Sequence, residues 1–180
     1  MKVFPEIDER MADWIRGQKM FFVATAPLAG DGLVNLSPKG LDTFQILDPL
    51  TVAYLDFVGS GVETISHLRE NGRIVSMFCA FEGAPRIVRL YGHGDVVEPG
   101  DADWDDLEAH FEPYPGARAI IRTRLTRIAD SCGYGVPLYD FVSQREQMTA
   151  WAESKGPEGL ADYKVENNAE SLDGLPSGLR

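Results

Sequence analysis

From Val34 to Lys39 the chain alternates, with polar residues at Asn35, Ser37 and Lys39 and apolar Val34 and Leu36 between them. A period of two is the mark of a strand with two distinct faces. Asn35, Ser37 and Lys39 therefore share one face, which is either solvated or holds a small polar ligand at the strand's end. Similar patterning predicts further strands. Residues 19–26, KMFFVATA, read as a buried strand, and the turn cluster PLAGDG joins it to 32–38 as a hairpin. FQIL, TVAYLDFV (51–58), RIVSMFCAF (73–81), PRIVRLYGHGDVV (85–97) and ARAIIRTRLTRIADS (117–131) complete the set. A 3.6-residue period marks 6–18 as a helix, with Ile7, Met11, Trp14 and Ile15 on its apolar stripe. GSGVETISHLRENG predicts a second helix over 60–70. Ser60 and Glu63 have capping-box spacing, Gly72 stands at the C-terminal end, and Val62, Ile65 and Leu68 face the core. Acidic residues lead into a short helix at PGDADWDDLEAHF, and 139–154 reads as helical, with Phe141, Val142, Met148 and Trp151.

Six or seven strands thus follow one another by connections mostly too short for parallel crossovers. The expected fold class is mainly β (α+β): an antiparallel sheet curled into a barrel with peripheral helices. Residues 1–138 are expected to form the barrel with its N-terminal helix. Residues 139–180 are expected to form a helical C-terminal arm that packs on the barrel or on a second copy. The exposed edges of such a sheet need cover, which predicts a homodimer.

A chain of 180 residues suits one domain, with a core large enough to need no disulfide or metal. The net charge of −11, from 28 acidic and 17 basic residues, opposes non-specific binding to nucleic acid or to an anionic membrane. No apolar run approaches the roughly 20 residues of a membrane span, and the first residues lack a secretory leader's apolar region. A cytoplasmic protein with reduced Cys79 and Cys132 is expected.

Chemistry concentrates around the second helix. Its N-terminus follows a strand through Gly59, Ser60 and Gly61, and helix N-termini favour anions. If the strands pair, Lys39 joins Ser60 and Thr64 in a phosphate clamp. A plain capped helix with a surface lysine fits the same spacing. Arg86 and Arg89 have opposite parity, so one of them at most points inward. Arg118, Arg122 and Arg124 form a basic stripe that fits pairing with carboxylates better than an anion site. Cys132 in SCGYGVP has no sequence-linked base and reads as a buried or pocket-lining thiol. The adjoining glycines imply a sharp turn or a close backbone approach. His67, His93 and His110 match no metal-ligand spacing, and His93 reads as a bulge residue.

VNLSPKGLDTF, VAYLDFVGSGVETISHLRENGRI and RIVRLYGHGDVV together resemble the pyridoxamine 5'-phosphate oxidase-like family of FMN-binding split barrels, over about residues 18–132. The resemblance implies a six-stranded antiparallel split barrel and a homodimer with FMN at the subunit interface. It implies that Asn35, Leu36, Ser37, Pro38 and Lys39 run beside the flavin, with Lys39 nearest the phosphate. Tyr54 and Leu55 become contacts from the second strand, and Ser60 and Thr64 phosphate contacts. The family's enzymes usually carry Arg-Lys where this chain has Glu63-Thr64, which weakens the phosphate site. Arg89 or Arg86 is then the compensating cation. The family's basic C-terminal signature for the pyridoxal phosphate substrate is absent, which argues against pyridoxamine phosphate oxidation itself. The implied activity is an FMN-dependent oxidoreductase acting on a small molecule, with Cys132 and Tyr134 lining the substrate side. A non-enzymatic flavin carrier or sensor, or a split barrel holding haem or a deazaflavin, is the alternative.

Overall fold

The computed structural model describes residues 1–180. The elements run β1 (Lys2–Phe4), α1 (Glu9–Arg16), β2 (Phe21–Thr25), β3 (Asn35–Lys39), β4 (Phe44–Asp48), β5 (Thr51–Phe57), α2 (Glu63–Asn71), β6 (Arg73–Cys79), β7 (Ile87–Val97), α3 (Trp104–Glu108), β8 (Ala117–Ser131) and α4 (Gln147–Asn167). All strand pairs are antiparallel, in the order β3-β2-β6-β7-β8-β5-β4, with β1 added to β8. The fold is thus the expected antiparallel split barrel with peripheral helices, built from eight strands rather than six. One of the additional strands, β1, is three residues long, too short to show a period.

Strand β8 organises the sheet. One edge pairs with β7 from Ile120 to Ser131. The other pairs first with β5 and then, at Ile128–Asp130, with β1. The path of strands does not close, yet the sheet curls until Phe21 of β2 meets Phe44 of β4, ring centroids 5.0 Å apart, and Tyr54 of β5 at 5.5 Å. Alternation along β5 separates two apolar layers. Val52 and Tyr54 enter the main core with Val23, Ile65, Leu90 and Ile121. Ala53 and Leu55 face outward beneath Trp104 and Leu107 of α3. Ile7, Met11 and Ile15 are buried as their spacing predicts, and Asp8 caps α1 by accepting the Met11 N–H at 2.8 Å.

Two helices begin later than their sequences predict. The α2 helix starts at Glu63, and no side chain caps it, so Ser60 and Glu63 form no capping box. The carbonyls of Gly59 and Gly61 instead accept from Asn168 Nδ2 and Arg118 Nη2, both at 2.8 Å, which holds residues 59–61 out of helical geometry. In the arm, 139–146 is irregular and α4 starts at Gln147. The Tyr139 N–H donates to the Phe81 carbonyl, and Gln144 Nε2 donates to the Lys19 carbonyl, both at 2.9 Å. These bonds tie the segment to neighbouring loops instead of to its own next turn. Gly156, with φ of 66°, then breaks α4 ahead of Pro157.

The glycines of SCGYGVP are explained at Gly133. Its φ is +65°, and a Cβ there would lie 2.9 Å from the Arg86 backbone nitrogen. The turn and the close approach both occur at that one residue. No helix is long and apolar enough to cross a membrane.

Candidate functional site

Register explains the alternation at 35–39. Phe21, Val23 and Thr25 of β2 lie opposite Lys39, Ser37 and Asn35. Directly opposed residues share a face, so the three polar side chains continue the barrel's inner face beyond its packed part. They are tolerated because β3 is an end strand and its inner face opens into the split. Leu36, on the other face, is 63% exposed, and Val34 is 74% exposed.

The split is bridged by charge. Lys39 Nζ donates to Asp56 Oδ1 at 2.9 Å, from β3 to β5, strands that are not neighbours in the sheet. Arg118 Nε of β8 donates to Asp56 Oδ2 at 2.8 Å. The remaining Arg118 nitrogens bind Asn168 Oδ1, at 2.6 Å, and the Gly61 carbonyl. Asp56 is almost wholly buried. Burial raises its pKa, but Lys39 and Arg118 outweigh that, and the carboxyl is held below its ordinary value. The same burial, with Asp56 nearby, pushes the Tyr54 phenol well above its usual range.

A hydrogen-bonded row runs beside this bridge. Ser37 Oγ donates to Asn35 Oδ1 at 2.9 Å, and Asn35 Nδ2 donates to Thr64 Oγ1 at 3.0 Å and Thr25 Oγ1 at 3.1 Å. Thr25 Oγ1 lies 2.9 Å from Nδ1 of the buried His67. Tyr54 Oη, Ser66 Oγ and His67 Nε2 are buried and have no hydrogen-bond partner. Burial lowers the His67 pKa against the opposing pull of Asp173, Glu63 and Glu70, so the ring is held neutral over a wider pH range.

The Lys39–Asp56–Arg118 bridge and the Asn35, Ser37 and Thr64 side chains line a cleft of about 390 Å³. Asn35, Ser37, Pro38, Lys39, Leu55, Ser60 and Thr64 all border it, so the structure brings together seven of the residues singled out from the sequence. Leu36 points away, and Tyr54 lies beneath the cleft, inside the core. Arg89 is elsewhere on the sheet, its Nη1 donating to Ser131 Oγ at 3.0 Å, and Arg86 pairs with Asp130 at 3.4 Å. Neither arginine borders the cleft. The arginine that does is Arg118, assigned by the sequence to carboxylate pairing, which it also performs. Arg122 likewise pairs with Asp95 and Asp103.

Past Pro38–Leu41 and Met148 the cleft meets a larger groove of about 1030 Å³. Trp14, Phe81, Tyr139 and Phe141 give that groove an aromatic wall, and Lys19 and Arg145 stand among its lining residues. Cys132 is exposed and borders a third cavity with Trp14 and Arg86, which adjoins the groove at Trp14 and Ala84, and Tyr134 is 82% exposed. No group of three or more His, Cys, Asp or Glu side chains is placed to hold a metal ion.

Sequence reasoning missed Asp56 and Asn168. Asp56 did carry a signal, since a lone carboxylate inside TVAYLDFV must find cations once that strand is buried. Asn168 carried none, because its partners lie 50 and 109 residues away along the chain.

A family model described as pyridoxamine 5'-phosphate oxidase matches residues 7–132. The pyridoxamine 5'-phosphate oxidase family protein ustO of Aspergillus flavus is 40% identical over 194 residues, spanning 98% of this chain and 78% of that protein. Two solved structures share the fold. HupZ of Group A Streptococcus aligns with a TM-score of 0.55 and 22% identity, over 70% of this chain and 94% of that one. The FAD binding protein from Mycobacterium smegmatis aligns with a TM-score of 0.52 and 14% identity, over 73% and 97%.

Proposed function

The chain belongs to the pyridoxamine 5'-phosphate oxidase family, and from that premise we propose that it is a flavin-binding protein, an FMN-dependent oxidoreductase of a small-molecule substrate that works as a cytoplasmic homodimer. The observation that carries this reading is the cleft itself. A polar strand edge, Asn35-Ser37-Lys39, faces Ser60 and Thr64 in one cavity that runs on into an aromatic groove. The donor set fits a flavin: hydroxyl and amide groups suit its polyol chain, Lys39 its phosphate, and the aromatic groove a planar ring. The fold shared with the Mycobacterium smegmatis FAD binding protein agrees with it.

A bound flavin would supply hydride or electron transfer. The chain's own side chains would bind and orient. Asn35 and Ser37 present hydrogen-bonding atoms along the strand, and Pro38 and Leu41 form the rim between cleft and groove. The outer face of β3, with Val34 and Leu36 exposed, and the exposed Tyr139 and Val142 of the arm are the surfaces expected to meet a second copy.

One observation favours a carrier or sensor as the second reading. Lys39, Asp56 and Arg118 are already paired with one another, which leaves no free acid–base couple in the cleft. The deciding experiment starts with the absorption spectrum of the freshly purified chain, followed by titration with FMN. Flavin bands with FMN released on denaturation support the proposal. A colourless protein that binds no FMN at micromolar concentration overturns it. Bound FMN with no turnover by NAD(P)H and any acceptor selects the carrier.

A further inference from the structure

Four ionisable side chains line the polar cleft: Lys39 and Arg118, Asp56 and Glu63. They carry two charges of each sign, so the cleft has no net formal charge. Both cations are engaged, Lys39 at 2.9 Å and Arg118 at 2.8 Å from the two oxygens of one buried carboxylate. Glu63 places its own carboxylate in the first turn of α2, against Gly61. A phosphate monoester with close to two negative charges therefore meets no free cation here.

The two cations differ in how firmly they are held. The Arg118 side chain is 5% exposed and its guanidinium has three separate partners. The Lys39 side chain is 22% exposed, and its ammonium has one hydrogen bond, to Asp56. Lys39 can leave Asp56 by side-chain rotation, with Arg118 still neutralising the carboxylate. Arg118 cannot leave without orphaning buried groups.

Resting on the flavin reading, we propose that Asp56 is a specificity-determining residue: it holds Lys39 in reserve, so that a ligand phosphate must take Lys39 from Asp56, and the cleft discriminates weakly between phosphorylated and unphosphorylated flavin. Lys39 exchanges one anionic partner for another, and only the difference between the two ion pairs appears as affinity.

The test compares FMN with riboflavin, which differ by the phosphate. Dissociation constants are measured by quenching of flavin fluorescence with the full chain at fixed ionic strength. The wild-type protein is expected to prefer FMN by about tenfold or less. Asp56→Asn, which leaves an amide oxygen for Arg118 and releases Lys39, is expected to raise that preference by about tenfold. Lys39→Gln is expected to bring it close to one, and keeps the proposal testable if Asp56→Asn does not fold. A wild-type preference of about a thousandfold would overturn the proposal. So would a folded Asp56→Asn, or a Lys39→Gln, with the wild-type preference. If neither flavin binds, the flavin reading falls and this inference with it. If both bind with a ratio indifferent to these residues, only this inference falls.

Discussion

Asn168 Oδ1 accepts from Arg118 Nη1 at 2.6 Å, joining the segment after α4 to the start of the barrel's longest strand. The same asparagine donates through Nδ2 to the Gly59 carbonyl, and its own carbonyl accepts from Ser177 Oγ at 2.6 Å. It is 1% exposed. The family model matches residues 7–132, so a residue beyond that match fixes the arginine at the heart of the cleft.

Asn168→Ala removes an acceptor from a buried guanidinium and a donor from the Gly59 carbonyl. Each loss leaves a polar group unsatisfied, so the variant is expected to lose about 2–4 kcal/mol of stability. Asn168→Asp retains the acceptor facing Arg118 and should lose less. Urea denaturation of the three proteins checks the order. Equal stability of Asn168→Ala and wild type would show that Arg118 does not depend on this partner.

Gly133 and Gly135 stand two residues apart in one loop and should respond oppositely to alanine. Gly133 has a φ of +65°, and a Cβ would meet the Arg86 backbone at 2.9–3.2 Å. Backbone cannot swing aside as a side chain does, so Gly133→Ala is expected to cost about 2 kcal/mol or more. Around Gly135 nothing lies within 4 Å of the same position. Its alanine variant should be within about 0.5 kcal/mol of wild type, by thermal or urea melting. A neutral Gly133→Ala would mean that the loop adopts another conformation.

The strand pattern was legible because side-chain parity is a local property. The alternation at 35–39 fixed which side chains face the cleft, and β2's register with β3 then put that face on the barrel's inner side. The start of α2 was misread for a non-local reason. Ser60 and Glu63 have capping-box spacing, but two side chains from far along the chain take up the carbonyls of Gly59 and Gly61. Arg89, expected as a compensating cation, does not border this cleft, because parity gives a face and not a position along the sheet. The arginine at the cleft, beside Lys39, is Arg118, which β8 carries past β5.

Stability should depend on pH through His67. Burial lowers its pKa below the ordinary 6.5, and the carboxylates of Asp173, Glu63 and Glu70 recover only part of that. Between the two values the unfolded chain binds more protons than the folded one, so stability rises with pH. The contribution is full above about pH 6.5 and is lost as pH falls through the folded value. His67→Gln, which can still bond to Thr25, should flatten this part of the curve, although it starts from a lower stability. The wild-type minus variant difference, from urea midpoints between pH 7.5 and about 5, isolates His67 from the other histidines. A difference independent of pH would mean that the ring reaches solvent or finds a partner for Nε2.

The outer face of β3 gives the last prediction, which tests the proposed dimer. Val34 is 74% exposed and Leu36 63%, and the arm adds Tyr139 at 62% and Val142 at 91%. Isolated apolar residues at a surface are ordinary, but here they include an end strand whose outer edge no other strand covers. A second copy lying on this face would bury Val34 and Leu36 and bring its own surface towards the groove that shares Pro38–Leu41 with the cleft. Leu36→Glu touches no core residue, because Leu36 faces away from Asn35 and Ser37. It should therefore fold with a melting temperature close to that of the wild-type monomer while shifting the sedimentation coefficient from dimer to monomer at micromolar concentration. If flavin is bound between copies, the same substitution should weaken it. A wild-type protein that sediments as a monomer would remove the dimer from the proposal, and a dimeric Leu36→Glu would move the interface to another face.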